Sequence, residues 1–310
     1  MSEGTQKDAA APQAPQAEAV LNVNVGILGH VDSGKTSLAR ALSSEASTAA
    51  FDKSPQSQER GITLDLGFSA FTHRAAAPIP GFPGITAVQF TLVDCPGHAS
   101  LLRTIIGGAQ IMDTMLLVVD VRKGFQPQTA EGLVVGMLAT HKLVVALNKV
   151  DMLPAAERAA AIERASQLVR RVLATTPFAG AEVVPVAACP AAGPGACPEA
   201  AAGVAALKEA LLRTVDESVA ERRRRGAAEP FLMAADHCFA VRGQGTVATG
   251  TVLRGQVAVG DSVEACETRT VHKVKSIQVF HRPVERASVG DRIGVRLLGL
   301  DAKAFERGLV

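Results

Sequence analysis

The chain contains no tryptophan and no tyrosine, and its aromatic share is 4%. Any stacking on a base must therefore come from its 11 phenylalanines or from histidine. Cysteine is scarce as well: Cys95, Cys189, Cys197, Cys238 and Cys266 include no CxxC pair and are odd in number. A reducing compartment fits that pattern better than a disulfide scaffold or a zinc ribbon. No apolar run reaches the roughly 20 residues that a membrane-spanning helix requires. Excess charge is also missing. The 32 Lys and Arg against 30 Asp and Glu leave a net +2, too balanced for a polybasic coat although a local basic patch could still bind nucleic acid. What the chain does have is 47% hydrophobic residues over 310 positions, enough for two domains with buried cores.

Residues 1–21 read as a disordered leader rich in Ala, Pro and Gln. They carry acidic residues, no Arg and no apolar core, so they match neither a secretory signal nor a transit peptide. From Val20 the run VLNVNVGIL predicts a buried strand. Further strand-like runs near 64–72, 87–93, 115–120, 142–147 and 183–188 alternate with helix-like stretches near 35–43, 99–110, 128–139, 155–173 and 204–216. This alternation predicts a mostly parallel, doubly wound α/β domain over 22–217. The Ala-, Pro- and Gly-rich stretch 73–86 predicts a long hairpin between two antiparallel strands. A linker is expected over 218–230. The short Val-rich runs of 231–310, punctuated by Gly, predict a small β-barrel whose last strand is cut short.

Between the first strand and the first helix, Gly29-His30-Val31-Asp32-Ser33-Gly34-Lys35-Thr36 fits GxxxxGK[ST]. Such a loop aims backbone N–H groups, and the positive end of a helix, at phosphates. Lys35 would neutralise β- and γ-phosphate charge, Thr36 would give an oxygen to Mg²⁺, and Asp32, Ser33, Gly34 and Ser37 complete the phosphate contacts. Asp94 follows the strand Val88–Val93, where its carboxylate would reach Mg²⁺ through water and the Gly97 N–H the γ-phosphate. Asn148-Lys149-Val150-Asp151 follows Leu143–Leu147. Asp151 can accept from the N1–H and exocyclic amine of guanine, which adenine cannot offer, so the expected ligand is GTP or GDP with Mg²⁺. Ala187 and Ala188 end the next strand, where a backbone N–H would close the guanine pocket.

GHVDSGKT, RGIT, DCPGH and NKVD together, in this order, resemble the translational GTPases over essentially 22–310. The resemblance implies that Thr63 closes on Mg²⁺ and the γ-phosphate, that His98 orients the attacking water, and that Val31 and Ile62 form a hydrophobic gate around it. No arginine finger is evident in cis, so slow hydrolysis accelerated by a ribosome is the expectation. Ala49–Lys53, QERGITLDLGF over 58–68, Arg103–Asp113, FLMAADHCF over 231–239, GQGTVATG over 243–250 and Gly290-Asp291-Arg292 look like the selenocysteine-specific elongation factors, particularly the eukaryotic form. Cys189 departs from that pattern, since it cannot stack under guanine as a lysine stem would.

The same resemblance implies an aminoacyl pocket of Phe68, Asp236, His237 and Arg292. A selenol is more acidic than a thiol of pKa ~8.5, so a cationic pocket selects selenocysteine over serine and cysteine. The implied partners are selenocysteinyl-tRNA, the ribosome and, through domains outside this chain, the machinery that reads the selenocysteine RNA element; the implied location is the cytoplasm, with no membrane. Two other readings stay open: another translational GTPase, elongation factor Tu-like or resembling the initiation-factor gamma subunit, bound to a different aminoacyl-tRNA, or a non-catalytic GTP-binding scaffold. Arg222–Arg225 reads as a solvated helix end or as a tRNA-backbone contact, and Lys273 and Lys275 share a strand face that permits RNA contact.

Overall fold

The computed structural model describes residues 20–46, 67–74, 79, 81–95, 111–189, 202–241, 245–280, 282–302, 305 and 308–310. The expected helix at 99–110, nearly all of the expected leader, and Ile62, Thr63, Gly97 and His98 lie outside them. Val20 and Leu21, counted with the leader by the sequence boundaries, are the first residues of strand β1 (Val20–Leu28).

Seven strands form the first sheet: β1, β2 (Glu45–Ala46), β3 (Gly67–Arg74), β4 (Ala87–Asp94), β5 (Thr114–Asp120), β6 (Leu143–Asn148) and β7 (Glu182–Pro185), in the order β2-β3-β4-β1-β5-β6-β7. β4, β1, β5, β6 and β7 run parallel, and β3 runs antiparallel to β4 with Gly67 opposite Asp94. The sheet is therefore mostly parallel and doubly wound, with 75–86 joining the antiparallel pair β3 and β4. Helices cover both faces, which is why the central strands are apolar in continuous runs rather than in alternation. On one face α1 (Lys35–Leu42) and α4 (Val204–Arg213) bury Leu38, Leu42, Leu207 and Leu211 against Val25, Ile27, Phe71 and Phe90. On the other, α2 (Pro127–Ala139) and α3 (Arg158–Leu173) bury Leu133, Val169 and Leu173 against Leu117, Val145 and Leu147. Pro127 at the first turn of α2 needs no N–H partner, and Thr129 Oγ1 accepts from Gln126 N at 3.3 Å.

The segment expected as a linker is largely helix. α5 (Glu217–Ala227) starts at Asp216, whose carboxylate accepts from Ser218 N at 3.0 Å. Its Gly226 carbonyl accepts from Gly255 N at 2.7 Å, so the helix abuts the second domain instead of spanning open solvent. The local reason is sequence 216–218, an Asp cap followed by Glu and Ser.

The second domain comprises β8 (Leu232–Val241), β9 (Gly245–Arg254), β10 (Gln256–Ala258), β11 (Ser262–Ala265), β12 (Thr270–Val279), β13 (Arg282–Val284), β14 (Arg286–Ser288), β15 (Arg292–Leu297) and β16 (Gly308–Leu309). The main ladder runs β11-β12-β15-β9-β8-β16, with β13 on β12 and β10 paired to β14. Val310 exchanges backbone bonds with Met233 at 2.7 and 3.0 Å, and Leu309 O accepts from Cys266 N at 2.9 Å. These bonds bring the end of the ladder back to its start, a nearly closed barrel around Met233, Val252, Ile277, Val295, Leu297 and Phe305.

Candidate functional site

The carboxyl ends of β1, β4, β5 and β6 converge, the place where open parallel sheets bind ligands. The loop Gly29–Gly34 follows β1, and Gly34 caps α1 with φ 91°. A Cβ on Gly34 would stand 2.3 Å from Asn148 Nδ2, so only glycine permits this approach of the two loops. Asn148 joins three segments: its Nδ2 donates to Ser33 O at 2.9 Å and its Oδ1 accepts from Ala188 N at 3.1 Å. Lys149 Nζ donates to Asp32 O and lies 3.0 Å from the Asp120 carboxylate. Asp32, Ser33, Gly34, Asn148, Lys149, Ala187 and Ala188 are thus gathered at one end of the sheet, with Ala187 N bonded to Ala202 O at 3.0 Å. Asp151 sits half-buried in a single 3-10 turn, Val150–Met152.

Lys35 is buried and bends back onto its own loop, donating to Gly29 O at 3.1 Å and His30 O at 2.9 Å. Burial pushes its ammonium below the ordinary lysine range, while Asp94 and Asp32 pull the other way. Thr36 Oγ1 donates to Asp94 Oδ2 at 2.6 Å, so the two oxygens expected to serve Mg²⁺ are adjacent. They are hard oxygen donors of the kind Mg²⁺ takes, and the buried Ser33 Oγ has no hydrogen-bond partner among the described residues. Glycine-lined approach, orphaned hydroxyl and paired oxygens fit a phosphate–Mg²⁺ group. Ser37 is next on α1. Val31 N donates to Gln128 Oε1 at 3.2 Å, so the N-terminal turn of α2 holds the backbone of Val31.

A second cluster forms where the first domain meets the barrel. Asp236 Oδ2 accepts from Arg292 Nη1 at 2.6 Å. Its Oδ1 accepts from Thr249 Oγ1 at 3.0 Å and lies 3.2 Å from His237 Nδ1. The Arg292 guanidinium lies over the Phe68 ring with Cζ 3.1 Å from the centroid, a cation–π contact between β3 and β15. All four residues expected for the aminoacyl pocket therefore meet. A β-bulge explains the geometry: Ala235 pairs with Gly250 and His237 with Thr249, leaving Asp236 as the extra residue of β8. Gly250 is required opposite it, because a Cβ there would stand 2.3 Å from Ala234 O. Burial raises the Asp236 pKa, but the Arg292 charge and hydrogen bonds from His237 and Arg292 prevail and hold it at about 2.

Sequence reasoning missed the polar joint beside this cluster. Asn22 Nδ2 donates to Asp291 Oδ1 at 2.7 Å and Asn24 Nδ2 to Gly290 O at 3.0 Å. Asp113 accepts from Asn24 N at 2.9 Å, from Arg222 Nη1 at 3.2 Å and from Arg223 Nη2. Two asparagines at alternate positions of an otherwise apolar strand were the available signal. A cavity of about 670 Å³ lies here, and among the described residues each of Arg222, Arg223 and Arg254 already has a carboxylate partner, Arg222 and Arg223 sharing Asp113 and Arg254 taking Glu229. Of the arginine run, Arg224 and Arg225 pair with Glu221 along α5.

A phosphate-binding loop on a doubly wound sheet, followed by a small barrel, defines a nucleotide-binding protein of the translation-factor kind. The family model described as elongation factor Tu GTP binding domain matches residues 21–221, and that of elongation factor Tu domain 2 matches 245–310. The chain belongs to the elongation factor Tu GTP-binding family. It is 55% identical over 293 residues to a mouse protein named selenocysteine-specific elongation factor, a match that covers 94% of this chain and 49% of the relative. A Methanocaldococcus jannaschii protein of the same name is 37% identical over 93% of this chain and 56% of its own length. The chain thus spans about half the length of the relatives it matches. Among solved structures, a bacterial selenocysteine-specific elongation factor superposes with TM-score 0.76 at 27% identity, over 93% of this chain and 44% of that one. The elongation factor SelB of Methanococcus maripaludis with a GTP analogue gives 0.71 at 30% identity, over 94% and 54%. No helix among the described residues is long and apolar enough to cross a membrane.

Proposed function

We propose that this chain binds GTP with Mg²⁺, hydrolyses it when stimulated by the ribosome, and delivers selenocysteinyl-tRNA in the cytoplasm. The observation that carries the reading is the meeting of Phe68 with Arg292, Asp236 and His237, since it joins the nucleotide domain to a cluster of charged side chains in the barrel at the positions the aminoacyl pocket requires. In this reading Lys35 swings from its loop carbonyls to the β- and γ-phosphates, and Thr36, with Asp94 acting through water, would hold Mg²⁺, which would neutralise charge on the phosphates. Asp151 accepts from the guanine ring, with the Ala187–Ala188 backbone beside it, and Asn148 and Lys149 keep the base loop against Asp32–Gly34. Gly97 and Thr63 close on the γ-phosphate. His98 orients the attacking water between Val31 and Ile62. In the barrel Asp236 takes the amino end of the ester, and Arg292 with His237 faces the selenolate.

The experiment is ester protection. The GTP-loaded chain should slow hydrolysis of selenocysteinyl-tRNA at least about tenfold more than that of seryl- or cysteinyl-tRNA, the worth of one charge-assisted contact. Arg292→Ala should abolish that preference while GTP affinity stays within twofold. Equal protection of all three tRNAs would instead support a translational GTPase for another aminoacyl-tRNA. Normal delivery after His98→Ala, with ribosomes and a full-length relative's remaining domains supplied, would support a scaffold that does not use hydrolysis.

A further inference from the structure

Asp120, the last residue of β5, has no part in the roles assigned above, although its carboxylate is fully buried. A buried carboxylate persists only when it is paired and hydrogen-bonded. Here one side is held by Arg122, whose backbone N donates to Oδ1 at 2.9 Å and whose Nη2 donates to Oδ2 at 3.1 Å. The same Oδ2 also faces Lys149 Nζ at 3.0 Å, so arginine and lysine share one oxygen. Burial opposes the charged form, but the hydrogen bonds from Arg122 and Lys149 and the Lys149 charge outweigh it, keeping Asp120 far below the ordinary carboxylate range.

The lysine is the connecting piece. Its ammonium also donates to the Asp32 carbonyl, and its Cε runs 3.9 Å from where a Gly34 Cβ would be. Asp32 has φ 62° and Lys149 φ 67°, so this single hydrogen bond links two of the four non-glycine residues with positive φ among those described. Such conformations endure only where surrounding contacts hold them, and they gather at ligand clamps. A lysine tethered at Asp120 cannot stray into solvent, and its stem keeps the phosphate loop and the base loop at one spacing.

We propose that Asp120 is a positioning residue for the bound guanine nucleotide, acting through Lys149 to brace the phosphate loop against the base loop and so lengthen nucleotide residence. The brace rests on the GTP-binding reading and adds to it a residue outside its motifs. It touches neither the γ-phosphate nor the Asp151 carboxylate, so GDP and GTP should be retained alike, and the choice of base should not depend on it.

The test measures release of methylanthraniloyl-labelled GDP and GTP from the full chain, chased with excess unlabelled nucleotide. Asp120→Asn should speed release of both by about tenfold, the scale of one charged hydrogen bond, with guanine still preferred over xanthine. In a Lys149→Met background the same substitution should add less than twofold, because the route is already cut. An equal tenfold effect in both backgrounds would show that Asp120 merely supports β5, and would overturn the proposal. So would release within twofold of wild type. If Asp120→Asn does not fold, Arg122→Met decides. It frees the same carboxylate from a partly exposed side chain and should speed release about threefold, only while Lys149 is present. A wild-type chain that binds no guanine nucleotide would overturn the GTP-binding reading and the brace together. A chain that binds but fails the double substitution overturns the brace alone.

Discussion

The nucleotide end of the sheet and the barrel pocket are both polar clusters in apolar surroundings, but they are built in opposite ways. At the nucleotide end the groups that matter are mostly backbone atoms and short side chains on consecutive residues: Ser33 O, Asp32 O, Ala188 N and the Gly34 turn. Their arrangement follows from local chain conformation, and each piece is carried by one contiguous motif. The barrel pocket instead consists of four side chains from β3, β8 and β15, held by a bulge and one ion pair. No contiguous segment contains it. The first kind of site resists drift because few sequences make the turn, whereas the second can be retuned by single side-chain changes.

Four substitutions sharpen or break that contrast, from the largest expected effect to the smallest. Asp151→Asn should weaken GTP binding by about a hundredfold or more and create preference for xanthosine triphosphate, because a buried polar mismatch penalises the wrong ligand strongly. Equilibrium titration of both nucleotides checks this, and retained guanine preference would remove Asp151 from the pocket. Asp236→Asn leaves the Arg292 guanidinium buried without its carboxylate, at a cost of about 3 kcal/mol in unfolding free energy and with GTP affinity unchanged. The sign of its pH dependence follows from its depressed pKa. The wild-type stabilisation is complete above the ordinary aspartate value of ~3.9 and is lost only as pH falls toward about 2. Denaturant unfolding should therefore give the same loss at pH 8 and pH 5, and a loss that shrinks by pH 5 would contradict the ion pair.

Asp113→Asn tests the joint between the two regions. Asn can still accept from Asn24 N but no longer balances Arg222 and Arg223, so about 2 kcal/mol of stability should go, with nucleotide affinity intact. An effect on GTP binding as large as that on stability would mean the joint and the nucleotide end are one unit. Arg224→Ala should move the melting midpoint by less than about 1 °C, since Arg224 is exposed and its partner Glu221 sits one turn away on the same helix. If the salt dependence of tRNA binding also falls, Arg224 contacts the tRNA backbone after all.

The same contrast separates what the chain announces locally from what it does not. The doubly wound sheet, the 73–86 hairpin and the barrel were legible because period and punctuation are local properties of the chain. The arginine run shows the limit. Four consecutive arginines read as a solvated helix end or a tRNA-backbone contact, but helical geometry points Arg222 and Arg223 at Asp113 and leaves Arg224 and Arg225 with Glu221. Residues 218–230, expected as a linker, are helical through Ala227 because a short Asp–Glu–Ser cap outweighs the polar composition that follows it. Asp120 had no motif to announce it.

By itself the sequence determined most of the described strands and helices of the first domain, the phosphate loop and the guanine-type motif, because strand and helix periodicity and glycine-dependent turns are encoded over a few neighbouring residues. Only the tertiary structure decided that Phe68 lies under Arg292, that a bulge turns Asp236 toward it, and that Asp120 holds Lys149 against the phosphate loop. Those contacts join residues 29 to 224 positions apart, and their energy depends on burial and on charge partners, quantities that exist only once the chain has closed on itself.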